Sequence, residues 1–224
     1  PTALSCLGGV GVVCFVAGWK AGSWSWTRRL TSVADIASSN IGLTAPWLRG
    51  RVVSVSDGDT VRFLHAPTWF HSSHLQEGEK MSDVALPVRV CTIDTPETAK
   101  FGKPGQPFGE EAKQCLSDLT LDKIVHIQLL QKDQYGRAVA AVKAPGMLPG
   151  MKRYADEHLL KQGLAEVYRG SGAVYGRLGK DAYIEMEQDA KKSKKGMWAL
   201  ADNRESAAEY KARLKTCLLY TSPS

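Results

Sequence analysis

The chain predicts an α+β fold in which five short strands close into a small barrel and three helices pack against it. Three observations carry this. Apolar and β-branched residues gather in five short runs between residues 52 and 142. Helical spacing appears once between the third and fourth runs and twice after the fifth, and turn residues separate the elements. One helix inserted into five strands suits an OB-type barrel. An apolar segment that reads as a membrane anchor precedes the barrel.

Taken in order, Ala3 to Trp19 carries no charged residue. Its length lies at the lower edge, roughly 17 residues, of a membrane-spanning helix. Lys20, Arg28 and Arg29 follow, with Trp19, Trp24 and Trp26 where interfacial aromatics sit. The chain opens on Pro1 rather than Met, so the segment is expected to extend upstream. Residues 1–22 are therefore expected to be a single-pass anchor, with a cleaved signal peptide as the rival. The downstream basic residues place the main domain on the cytoplasmic or matrix side, and a mitochondrial membrane is the expected organelle. Residues 23–48 are rich in Ser, Thr, Ala and Trp and read as a linker, with one helical turn near Val33–Ala37.

Val52, Val53 and Val55, then Val61 and Phe63, flank Asp57-Gly58-Asp59 and predict a hairpin. Residues 66–83 read as an exposed loop. Leu86 to Ile93 is the third strand, apolar but for Arg89. Phe108 to Leu119 has helical spacing. Ile124 to Leu130 and Ala138 to Val142 are strands joined by a polar turn. Met151 to Gln162 and Lys180 to Lys195 are helices stopped by Gly163 and Gly196. The main domain is thus placed at residues 49–200, and residues 201–224 are a frayed helical tail to which the sequence assigns no role.

Composition narrows the function without fixing it. The net charge is +6, yet residues 51–200 hold 21 Lys and Arg against 19 Asp and Glu. A passive nucleic-acid binder usually carries a stronger basic excess, because phosphate neutralisation supplies most of its affinity. A near-neutral domain suits an enzyme that must release product. Five cysteines, odd in number and never in a CxxC pair, exclude a disulfide framework and a zinc signature. His65, His71 and His74 lack paired Cys or carboxylates and read as solvated loop residues.

Three clusters carry the chemistry: Asp57-Gly58-Asp59-Thr60, Arg89 with Asp94-Thr95-Pro96-Glu97, and Asp133 with Tyr135-Gly136-Arg137. Each has a structural reading of its own, as hairpin turn, strand end or solvated turn. Together they supply carboxylates for a hard cation and guanidiniums for a phosphate. Asp59 and Asp94 leave strands expected to be neighbours. Regular alternation puts Arg89 and Asp94, five residues apart, on opposite faces of one strand, so a twist or bulge is needed for them to meet.

VVSVSDGDTVRF, VRVCTIDTPE, FGEEA, KDQYGRAVA, LLKQGLAEVY and AKKSKKGMW, in this order, resemble a staphylococcal-nuclease-type thermonuclease domain from about Arg51 to Leu200. FGKPGQPF and VYRGSGAVYG bring it nearest to the membrane-anchored long-chronological-lifespan-type endonucleases described mainly from fungi. The resemblance implies calcium held by the Asp59 and Asp94 side chains and the Thr95 carbonyl. It implies Glu97 as general base and Arg89 and Arg137 as the phosphate clamp, with Asp57, Asp133 and Tyr135 in support. Tyr168 and Tyr175 are candidates for base stacking, with packing in the core or a loop as the alternative. The implied activity is cleavage of DNA or RNA phosphodiesters leaving 3′-phosphate ends. The alternative is a non-catalytic module that binds nucleic acid or protein, and no obligate protein partner is evident.

Overall fold

The computed structural model describes residues 28–99, 104–146, 148, 150–203 and 205–220. The expected anchor, residues 1–22, lies outside them. Among the described residues no helix is long and apolar enough to cross a membrane.

Strand β1 (Trp47–Asp57) pairs antiparallel with β2 (Thr60–His65) on one side and with β5 (Ile124–Lys132) on the other. β2 pairs with β3 (Leu86–Val90), and β5 with β6 (Ala138–Pro145). β3 also pairs with β6, in parallel, so the five strands pair in a closed circuit. The circuit encloses Val52, Phe63, Val88, Ile127 and Ala140, all fully buried. Alternation places these residues inward, and their burial supplies the main driving force for closure.

A one-turn helix α1 (Met81–Val84) enters β3, and the two-residue strand β4 (Ile93–Asp94) follows it. Helix α2 (Gly109–Thr120) buries Ala112, Leu116 and Leu119 as its spacing predicts. The predicted helix at Met151 begins later. Lys152–Tyr154 forms β7 on the edge of β6, and α3 runs over Ala155–Lys161. Two-residue β8 (Glu166–Val167) pairs with β4, and α4 covers Gly179–Lys192. A final helix α5 (Ala207–Tyr220) forms in the stretch read as a frayed helical tail.

Two stretches are docked more firmly than their composition suggested. In the stretch read as a linker, Leu30, Val33 and Ile36 are buried in the main core. His65 is also buried rather than solvated, and its Nδ1 accepts the Leu30 N–H at 3.0 Å. Burial, with His71 and Arg29 nearby, depresses its pKa to about 4. It therefore acts as a neutral acceptor that ties the N-terminal segment to β2.

Candidate active site

The hairpin between β1 and β2 turns through Gly58 and Asp59. A Cβ on Gly58 would lie 2.7 Å from Thr95 Oγ1 and 2.8 Å from the Ala112 methyl. Glycine lets the turn press against both the Thr95 segment and α2. Asp57 ties the same parts together, its Oδ1 accepting from Thr98 Oγ1 at 2.9 Å. Asp59, buried, accepts from Thr60 Oγ1 at 2.7 Å and pairs with Arg89 Nη1 at 2.7 Å.

Arg89 reaches Asp94 because the third strand is not continuous. It breaks at Cys91–Thr92, where Thr92 takes φ 72° and the Ile93 N–H folds back to the Cys91 carbonyl at 2.8 Å. Left-handed backbone is costly for a β-branched residue and needs external support. Residues 168–176 provide it: Thr92 donates to the Val174 carbonyl at 3.1 Å and accepts from Tyr168 N–H at 2.8 Å. The Gly176 N–H adds a bond to Thr92 Oγ1 at 3.0 Å. The break rotates Asp94 to the Arg89 face, and Arg89 Nη2 meets Asp94 Oδ1 at 2.7 Å and the Ile93 carbonyl at 3.3 Å. Burial opposes the guanidinium charge, but Asp59 and Asp94 outweigh it and hold Arg89 above its ordinary pKa. Burial pushes Asp59 above the usual carboxylate value, against the pull of Arg89.

After Asp94, Thr95 is buried and Glu97 stands half-exposed at the cleft. Gln106 fixes the backbone here: its side-chain oxygen accepts the Glu97 N–H at 3.0 Å and its own N–H donates to the Glu97 carbonyl at 2.8 Å. The Gln106 amide nitrogen then donates to the Glu205 carbonyl at 3.0 Å, at the threshold of α5. From α5 comes a residue the sequence reading missed. Lys211 Nζ lies 2.9 and 3.2 Å from the two Asp94 oxygens and 3.0 Å from Glu97 Oε1. Burial alone would weaken this ammonium, but the two carboxylates keep its pKa above the ordinary lysine value.

On the opposite wall, Asp133 organises the turn before β6. It accepts the Tyr135 N–H at 2.6 Å, and Arg137 Nε and Nη2 at 2.9 and 2.6 Å. Partial burial raises the Asp133 pKa, but these donors win and hold it below the usual range. The Tyr135 ring is 75 % exposed and lies 5.7 Å from the Arg137 guanidinium. Tyr168 sits 5.8 Å from the Arg89 guanidinium. Tyr175 instead packs against the core and donates from its hydroxyl to the Tyr168 carbonyl at 3.3 Å.

Asp57, Asp59, Arg89, Asp94, Glu97, Asp133, Tyr135, Arg137 and Tyr168 all line one cleft of about 1040 Å³, joined by Lys211. The fold thus brings together side chains from all three clusters. Among the described residues no group of three or more His, Cys, Asp and Glu side chains gathers as a metal cage. The expected set asks for only two carboxylates, Asp59 and Asp94, plus a backbone carbonyl. Hard oxygen donors of this kind suit calcium. A cationic group already binds both Asp94 oxygens, so the position accepts positive charge.

The family described as staphylococcal nuclease homologue matches residues 87–200, which include every clustered residue except the Asp57–Thr60 hairpin. The chain is 46% identical over 166 residues to Endonuclease Htp3 of Saprolegnia parasitica, covering 74% of this chain and 76% of that protein. It is 36% identical over 218 residues to "Probable endonuclease LCL3" of Schizophyllum commune, covering 88% and 74%. The protein of that name in Komagataella phaffii is 34% identical over 178 residues, covering 75% and 76%. The chain belongs to the staphylococcal nuclease homologue family.

Proposed function

We propose that this protein is a calcium-dependent endonuclease that hydrolyses DNA or RNA phosphodiesters beside a membrane. One observation carries the reading: Arg89 bridges Asp59 and Asp94 in a cleft that also holds Glu97 and Arg137. The closed circuit of five strands supports the OB-type barrel as the frame that holds them.

Asp59 and Asp94, with the Thr95 carbonyl, would hold the cation, whose chemistry when bound is to polarise a phosphoryl oxygen. The chain's own groups do the rest. Glu97 takes the proton from the attacking water as general base. Arg89 and Arg137 bind phosphoryl oxygens and meet the charge that develops on them. Both guanidiniums are preset by carboxylates, Arg89 by Asp59 and Asp94 and Arg137 by Asp133, so little rotamer freedom is lost on binding. Tyr168 and exposed Tyr135 offer ring faces for a base at the rim.

The uncharged stretch Ala3–Trp19 and the basic residues after it support the membrane tether and a domain on the cytoplasmic or matrix side. A mitochondrial membrane is the proposed place. Microscopy of a tagged full-length protein with protease protection tests organelle and orientation, and a free mature domain there would establish a signal peptide instead.

The activity is tested by cleavage of single-stranded DNA by the full chain with calcium, with chelator, and in Glu97→Gln. Chelation should abolish cleavage, and Glu97→Gln should slow it by about 10² to 10⁴ fold. If both leave the rate unchanged, the site is misassigned. Inert wild type over a wide range of calcium and pH would favour the non-catalytic binding module.

A further inference from the structure

We infer that α5 carries a built-in competitor for the cation: the Lys211 ammonium occupies Asp94 and Glu97 and must leave before calcium binds. The inference rests on the calcium reading above and adds a control to it. The contacts are direct, 2.9 and 3.2 Å to Asp94 and 3.0 Å to Glu97. Asp94 Oδ1 already bonds Arg89, so with Lys211 in place a divalent ion would be the third cation on one carboxylate.

The charge count of the cleft points the same way. Five Asp and Glu side chains and four Lys and Arg side chains line it. Withdrawing Lys211 leaves two more acidic than basic groups, which matches the charge of one calcium ion. The exchange does not require α5 to unfold. The helix is held by Ala207 and Tyr210, both buried, by the Tyr210 hydroxyl on the Pro104 carbonyl, and by Gln106 on its approach. Lys211 is 42% exposed on a flexible four-carbon stem and can swing into solvent while the helix stays docked.

The test is calcium binding to the full chain, measured by calorimetry on wild type and on Lys211→Met, which keeps the stem and helix propensity but removes the charge. Calcium should bind the variant about 10-fold more tightly. Coupling is reciprocal, so calcium should also raise the rate at which an amine-acylating reagent labels Lys211 in wild type, read by mass spectrometry. Amide exchange over α5 confirms that the variant keeps the helix docked. Equal or weaker calcium affinity in Lys211→Met, with wild type still binding, overturns the competitor. Absence of calcium binding in both proteins overturns it together with the calcium reading.

Discussion

Arg89 is the residue on which the site turns, because two largely buried carboxylates share its guanidinium. Removing it would leave Asp59 and Asp94 with less compensation in a poorly solvated place. Arg89→Met should therefore lower unfolding stability in chelator by about 3 kcal/mol, seen as a lower urea midpoint with the slope unchanged. Calcium should restore part of that loss by taking over the carboxylates, whereas in wild type it adds less. The sequence showed Arg89 and Asp94 as candidates but could not show how they meet. Their separation of five residues pointed to opposite faces, and the residue that resolves the conflict is Thr92. A glycine or asparagine there would have signalled left-handed backbone. A β-branched threonine signals the reverse, and its conformation is imposed by bonds from residues 168–176.

At the scale of elements, the site depends on how closely the β1–β2 hairpin approaches α2 and the Thr95 segment. Gly58→Ala would put a methyl within 3 Å of Thr95 and Ala112. The expected cost is about 1–3 kcal/mol, with a loss of cleavage rate beyond what the fraction unfolded accounts for, measured by denaturation and turnover on one preparation. Strands β1, β2, β3, β5 and β6 and helix α2 were legible because period-two and helical spacing survive in the bare sequence. Helix α1 and strands β7 and β8 were not. Lys152–Tyr154 takes edge-strand pairing on β6 ahead of α3, so tertiary context overrode a helical pattern. In α5, Ser206 and Glu209 form a capping pair that the sequence does display, Ser206 Oγ meeting Glu209 N–H at 3.2 Å. That pair marks the helix start, but no local pattern says that Lys211 will land on residues more than a hundred positions earlier.

For the whole molecule, the docking of the segment around Leu30 on β2 is sensitive to acid. The His65 pKa of about 4 in the folded chain lies below the ordinary 6.5. The unfolded chain therefore takes up the proton first as pH falls. Stability is complete above about pH 6.5 and declines toward pH 4, by at most about 3 kcal/mol from this residue. Urea unfolding at pH 7 and pH 4.5 should show this, and His65→Gln should flatten the difference. Amide exchange should rise first around Leu30. The closed circuit of strands has a consequence of a different kind, for the order of events during folding. Arg89 sits opposite Thr60 on one neighbour and Val139 on the other, the latter fifty residues away in the chain. Contacts of such separation form late, because loop-closure entropy is spent before they reward it. A chain halted before β6 docks on β3 holds Arg137 and Asp133 apart from Asp59, Arg89 and Asp94 on the β2–β3 side. On the endonuclease reading proposed above, cleavage competence therefore requires that closure.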